Sequence, residues 1–289
     1  MGQDLYNEFK SARDVFAEAD ETLKFPLSRL CFEGPEDDLR QTVNLQPAIM
    51  TVSWACYRAA QEAGKVNGHF AYTAGHSLGE YTALVASQSI SFSDALRLVR
   101  ERGRLMQMAG EMTPSGMVAI LGLDESIVEE ICRETGAQIA NINSPGQIVV
   151  SGAKEAVAMV MDLGRARGAR KCVPLAVSGA FHSHIMRPAQ EGIAEAVGST
   201  RFRDPIVPVI ANSTANPMVE AEQIRDELVA QLCNCVHWTR SVEYMVGAGV
   251  STFVEIGPGR VLTGLIHRIN GEVDLLNIDS AKAIHSLAS

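Results

Sequence analysis

Apolar residues fall three or four apart along several stretches of this chain and gather into short unbroken runs between them. The first pattern marks amphipathic helices, the second buried strands. The run from Pro47 to Ala63, PAIMTVSWACYRAAQEA, with proline near its start, predicts a largely buried helix. HFAYTAGHS after it predicts a strand, and GEYTALVASQ a helix. Beyond the turn at Ser91, Ser93 is placed to cap the helix DALRLVRERGRLMQMAG, which sets Leu96, Val99, Gly103 and Met106 along one face and carries Arg97, Arg100, Arg102 and Arg104. Near the start, DLYNEFKSARDVFAEAD predicts one further helix.

From Met117 onward the pattern changes to strand MVAILGL, helix ESIVEEICRET, strands QIANIN and QIVVSG, helix KEAVAMVMDLGRARG and strand ARKCVPLAV. That βαββαβ order is the ferredoxin-like split motif and predicts a small domain inserted in a larger α/β unit. A strand PIVPVIAN, helices EAEQIRDELVAQL and TRSVEYMVGAG and a strand STFVEIGPG resume the larger unit. The expected division is therefore a discontinuous α/β domain, 1–114 with 185–289, and a small domain over 115–184.

Composition narrows the class. No stretch reaches the ~18 consecutive apolar residues of a membrane span, and MGQDLYNEFK lacks the basic and apolar regions of a signal peptide, so a cytoplasmic protein is expected. The formal charge of −9 comes without a basic stripe, which argues against nucleic acid as a partner. Six cysteines in 289 residues are too sparse for a disulfide scaffold. Cys233 and Cys235 form only a C-x-C, read as ordinary reduced thiols, and no metal site is expected. A monomer is the default.

The densest chemical signal is Gly75-His76-Ser77-Leu78-Gly79, a G-x-S-x-G between an apolar strand and an apolar helix. In a nucleophile elbow the glycines permit a sharp turn, Ser77 stands at its apex, and the Leu78 N–H at the helix start can serve an oxyanion. A serine hydroxyl needs a base, most often histidine. His69, His237, His267 and His285 stand in ordinary contexts, and His76, adjacent on a tight turn, is better suited to line the pocket. His182 and His184 in AFHSH remain, at the exit from the small domain, and spacing does not choose between them or name the group that orients the imidazole.

Six segments in order, GHSLGEYTALVA, RERGRLMQ, NINSPGQIVVSG, AFHSHIMRPA, QLCNCVHWTRSVEYM and VEIGPGRVLTGL, resemble the malonyl-CoA:acyl carrier protein transacylases of bacterial fatty acid synthesis. The resemblance runs through essentially the whole chain. It implies an α/β-hydrolase-like large domain with a parallel sheet, carrying a ferredoxin-like small one, and a ping-pong transfer in the cytoplasm with malonyl-CoA as substrate and acyl carrier protein as acceptor. Ser77 is then the nucleophile and His182 the base, oriented by the main-chain carbonyl of Gln231, with Asn143 near that histidine. Arg102 corresponds to the arginine that pairs with the malonyl carboxylate, a task suited to a planar, permanently charged fork. Phe181 and His76 resemble the malonyl-selective pattern, and Gln46 a pocket glutamine, although Gln46 reads equally well as a residue at the start of its helix. No metal or redox cofactor is implied.

The resemblance also departs at the start. Family members begin with a strand and a GQGSQ turn, whereas Met1-Gly2 aligns with the later methionine-glycine of GMGxDLY. The absent glutamine would have supplied a second oxyanion N–H, worth on the order of a hundredfold in turnover, and the absent strand would leave sheet edges open. A misplaced start or truncated chain is the expectation; a shortened, weakly active or non-catalytic protein is the other reading. Docking of an acidic carrier protein is expected at Arg165, Arg167, Arg170 and Lys171, which otherwise read as a solvated helix end. The rival enzyme reading is a serine esterase or thioesterase, which shares Ser77 and His182 and has no need of Arg102.

Overall fold

Helices Thr42–Glu62 and Phe92–Met112 pack along each other and build the main core around Met50, Val52, Leu96, Val99 and Met106. A computed structural model of the chain describes residues 1–287. Leu96, Val99, Gly103 and Met106 all lie buried on the predicted face. Gly103 has a steric reason to be glycine, because a Cβ there would lie 2.7 Å from the Thr42 carbonyl oxygen. The cap of the second helix is Ser91, whose hydroxyl accepts from the Asp94 N–H at 3.1 Å, and Ser93 falls inside the first turn. The first helix starts at Thr42, ahead of Pro47. Its extra turn is held by the Asn44 and Leu45 N–H groups on the Gln41 carbonyl and by the Asn44 side chain on the Asp38 carbonyl. The N-terminal segment is two helices, Gln3–Glu8 and Lys10–Leu23, broken where Phe9 turns extended and stacks its ring on His285.

Strands Ser115–Leu121, Gln138–Ser144, Gln147–Ala153 and Lys171–Pro174 form one antiparallel sheet in the spatial order second, third, first, fourth. Helices Glu125–Thr135 and Lys154–Ala166 cover one face, closing a core of Val118, Ile120, Val128, Ile131, Val150 and Val160. This is the ferredoxin-like arrangement, with the last strand shorter than its apolar run. On the other face Met117, Ala140 and Val149 receive the Phe181 ring. The Ile142 N–H donates to the Val236 carbonyl and the Val236 N–H to the Ala140 carbonyl, both at 2.9 Å, so the sheet is tied to the segment that follows Gln231.

The remaining strands are short. Thr73–Ala74 runs parallel to Val209–Ile210, which pairs antiparallel with Pro217–Met218, and Thr252–Ile256 pairs in parallel with Asp274–Ile278. The longer strands expected over 69–77 and 205–212 are cut back to two residues each. Pro208 has no N–H to extend the ladder, although its carbonyl still accepts from Thr73, and Ala215 at φ 57 turns the chain soon after Ile210. No helix among the described residues is long and apolar enough to cross a membrane.

Candidate active site

Ser77 sits at φ 51, a left-handed conformation that costs a residue with a Cβ about 1–3 kcal/mol and persists only where the surroundings enforce it. Asn212 enforces it from both sides: its Oδ1 accepts from the Ser77 N–H at 2.6 Å and its Nδ2 donates to the Gly75 carbonyl at 2.7 Å. Gly75 must be glycine, since a Cβ would fall 2.0 Å from the Gly79 carbonyl carbon, whereas a Cβ on Gly79 would meet nothing within 4 Å. The sharp turn is thus carried by Ser77 itself and by the close approach at Gly75, and the second glycine of the motif is sterically free. Helix Gly79–Ala86 starts directly after Leu78. Among the described residues the Leu78 N–H meets no acceptor and stays available for an oxyanion.

His182 answers the question that spacing left open. Its Nε2 lies 2.7 Å from Ser77 Oγ and its Nδ1 2.8 Å from the Gln231 carbonyl oxygen. A carbonyl only accepts, so Nδ1 carries the proton and Nε2 is left as the acceptor facing the serine. His182 is also left-handed, at φ 57, and only 4 % exposed. Burial first, and then the nearby Arg102 charge, push its pKa down to about 3, so the ring is neutral at physiological pH. His184 is exposed and engaged instead with the Gln138 side chain.

Arg102, 1 % exposed, enters from helix Phe92–Met112. Its Nη1 donates to Gln46 Oε1 at 2.7 Å, and its Nη2 donates to Gln231 Oε1 at 2.8 Å and to Ser77 Oγ at 3.1 Å. The guanidinium lies over the Tyr81 ring, 5.5 Å from its centroid. Burial lowers the Arg102 pKa, and the Tyr81 and Glu80 environments oppose that. Gln46 is therefore a buried holder of the arginine inside helix Thr42–Glu62, where its Nε2 also meets the Met106 sulfur at 3.4 Å.

Among the described residues Asn143 makes no hydrogen bond to His182. Its Oδ1 lies 2.8 Å from His76 Nε2, because strand Gln138–Ser144 passes the elbow on the His76 side. The resemblance placed Asn143 near His182, and the hydrogen bond it makes is to His76, which in turn acts electrostatically on His182. His76 also packs 5.8 Å from Trp238, and burial lowers its pKa. Phe181 is half-buried between the two cores, with its carbonyl accepting from Ser151 Oγ at 2.6 Å. A cleft of about 440 Å³ reaches His182 between helix Glu125–Thr135, strand Gln138–Ser144 and residues 233–237. Cys233 and Cys235 line it, and burial raises both thiols, Cys235 to about 12, so neither is a thiolate near neutral pH.

Two site residues escaped the sequence reading. Asn212 follows a short strand with nothing local to distinguish it. Glu80 could have been found, because an acid inside the apolar helix GEYTALVA is a charge that must meet partners. It is fully buried, accepts from the Asn212 N–H at 2.9 Å and from Gln231 Nε2, and its pKa is held well above the usual carboxylate range by burial and by Glu227.

A hydroxyl at a strained elbow, a neutral imidazole on it, a free N–H beside it and a buried cation against it can form and break an acyl ester. On this α/β framework they define a serine-nucleophile acyl-transfer enzyme. The chain belongs to the acyl transferase domain family, which it matches over residues 1–283. It is 41 % identical to the malonyl CoA-acyl carrier protein transacylase of Bacillus subtilis, over 98 % of this chain and 90 % of that protein. Its fold is similar to the acyl-carrier-protein S-malonyltransferase of Bartonella henselae (TM-score 0.94, 42 % identity, 99 % and 93 % of the two chains). It is equally similar to a malonyl-transacylase solved in complex with its type II PKS acyl-carrier protein (TM-score 0.94, 40 % identity, 99 % and 93 %).

Proposed function

We propose that this acyltransferase moves a malonyl group from malonyl-CoA to the phosphopantetheine thiol of an acyl carrier protein through a malonyl ester on Ser77, supplying fatty acid synthesis. The observation that carries this reading is Arg102, a permanent cation buried against the nucleophile and held by two glutamines. An acyl group with a free carboxylate matches it by charge and by the fork geometry. A simple esterase gains nothing from such a group and must desolvate it.

In the first half-reaction Ser77 Oγ attacks the thioester carbonyl while His182 Nε2 takes its proton. The tetrahedral oxyanion forms beside the Leu78 N–H at the start of helix Gly79–Ala86. The C–S bond then breaks, and the leaving thiol takes the proton back from His182. In the second half the carrier's thiol gives its proton to His182, attacks the malonyl-serine ester and releases the Ser77 hydroxyl. The Gln231 carbonyl keeps the imidazole in one tautomer throughout. Arg102 Nη2 donates to Ser77 Oγ, and a carboxylate on the guanidinium competes for that donor while offsetting the charge that depresses His182. Both effects favour attack on a malonyl rather than an acetyl thioester.

The carrier protein comes to this chain through its relatives, and its docking on the 165–171 patch is part of the same reading. Arg165 pairs with Asp162, and Arg167 with Glu130 and Glu134, so among the described residues Arg170 and Lys171 are the exposed cations of the expected patch without an acidic partner. Intact-protein mass spectrometry after brief mixing with malonyl-CoA tests the proposal. A malonyl adduct that is absent with acetyl-CoA and in Ser77→Ala, and that transfers on addition of carrier protein, is expected. An adduct lost to water at the same rate with or without carrier protein would instead identify a thioesterase.

A further inference from the structure

The buried Glu80 carboxylate is outside the chemistry just described, yet the hydrogen-bond chain that ends on Arg102 starts from it. Its Oε1 accepts the Asn212 main-chain N–H at 2.9 Å, and its Oε2 accepts from Gln231 Nε2. The second hydrogen of that Gln231 amide goes to the Ser77 carbonyl at 3.1 Å. With both amide hydrogens committed on one side, Gln231 Oε1 faces the other way and accepts from Arg102 Nη2 at 2.8 Å. All of these groups except the Ser77 carbonyl belong to residues that are 2 % exposed or less, so water cannot replace a misdirected partner.

We propose that Glu80 is a positioning residue that sets the orientation of the Gln231 amide and, through it, aims Arg102 at the carboxylate of the incoming acyl group. The inference rests on the malonyl-transfer reading above and deepens it. The chain has a direction: Arg102 donates to Gln231, Gln231 donates to Glu80, and Glu80 is pinned at its far oxygen by a main-chain N–H that cannot turn round. Both Glu80 oxygens accept here, a pattern that an amide with a single oxygen does not supply. A glutamine at position 80 would keep its oxygen on Asn212 and point its NH2 at the Gln231 NH2. Either the two donors collide or the Gln231 amide reverses and presents its NH2 to Arg102. The first displaces the acceptor that fixes Nη2, and the second removes it. The Gln231 main-chain carbonyl, and with it the orientation of His182, is untouched by the reversal.

The test compares wild type, Glu80→Gln, Gln231→Met and the double variant by the initial rate of Ser77 acylation from malonyl-CoA and from acetyl-CoA. The rate of Ser77 labelling by a neutral fluorophosphonate serves as the third measurement. Glu80→Gln is expected to lose roughly ten- to a hundredfold in malonylation, the effect of one charged hydrogen bond. Acetylation and fluorophosphonate labelling should stay within about threefold, so the malonyl preference falls. Gln231→Met, which removes the acceptor for Arg102 and also the donor to the Ser77 carbonyl, should lower the malonyl-to-acetyl ratio at least as far, and the double variant should be no worse than the worse single. An unchanged malonyl-to-acetyl ratio in Glu80→Gln, parallel loss of all three rates, or multiplying losses in the double variant would overturn the proposal. Should Glu80→Gln not fold, an unchanged ratio in Gln231→Met overturns it alone. A wild type that reacts with fluorophosphonate but never with malonyl-CoA would instead overturn the malonyl-transfer reading and, with it, this one.

Discussion

Replacing Arg102 with alanine separates a transacylase site from a generic serine hydrolase site. The substitution removes three donor contacts, to Gln46 Oε1, Gln231 Oε1 and Ser77 Oγ, together with a cation that is 1 % exposed. A bidentate carboxylate–guanidinium pair in a dry pocket consists of two charge-assisted hydrogen bonds at about 1.5–3 kcal/mol each, so malonyl acylation should fall on the order of 10² to 10⁴-fold in kcat/KM. Acetyl acylation has no carboxylate to lose. Because the Arg102 charge is the second cause of the depressed His182 pKa, its removal makes the base stronger, and the acetyl rate should hold or rise. The malonyl preference therefore collapses or inverts. Leaving Gln46 and Gln231 without their donor costs about 1–3 kcal/mol for each oxygen that water fails to reach, so a lower Tm accompanies the change. Arg102→Lys restores the charge but not a fork that serves both glutamines and a carboxylate, and should recover little of the malonyl rate. The assay is the initial rate of adduct formation on Ser77 from each thioester, read by intact mass, with Tm measured beside it. Equal losses for malonyl and acetyl, or a malonyl rate within threefold of wild type, would refute the reasoning.

Three further outcomes follow from the same geometry. Gly75→Ala should abolish folding or Ser77 reactivity, whereas Gly79→Ala should leave both near wild type, read by circular dichroism and fluorophosphonate labelling; equal tolerance at the two positions would contradict the 2.0 Å approach at Gly75. His182 titrates near 6.5 when unfolded and at about 3 when folded, so between these values the unfolded chain binds the extra proton and stability falls as pH falls, by about 1.4 kcal/mol per pH unit. His182→Gln should remove that one-proton slope from the pH dependence of urea unfolding, and an identical slope in the variant would show that the buried ring is not its source. Reversing Arg170 and Lys171 to glutamate should slow transfer to carrier protein several-fold at low salt while leaving acylation by malonyl-CoA unchanged; equal loss of both steps would rule out this surface for docking.

Much of the fold is legible along the chain because its signals are local. The 3.6-residue period of 92–112, the βαββαβ rhythm of the small sheet and the strand-turn-helix around Ser77 each need only neighbours in sequence, and each forms close to where its pattern predicts. Strand lengths and helix breaks departed from the pattern for reasons that periodicity does not weigh, some local and one reaching across the chain. Pro208 withholds a ladder donor, Ala215 and Ser77 turn left-handed, and Phe9 leaves the helix to stack on a residue at the other end of the chain.

The site divides differently. From the sequence alone came the nucleophile, two candidate histidines, a helix with four arginines and, through the family resemblance, Arg102, His182 and the Gln231 carbonyl. Tertiary structure decided who faces whom. Ser77, Arg102, His182, Asn212 and Gln231 lie on five separate segments, and hydrogen-bond direction, burial and charge become defined only once those segments meet. That is why Asn143 turned out to hold His76 rather than His182, why Gln46 became a holder of Arg102, and why Asn212 and Glu80 went unnoticed until the structure showed what they hold. A motif specifies which chemistry is available; the polarity of a buried hydrogen-bond network is a property of atoms brought together from distant positions, and no local pattern encodes it.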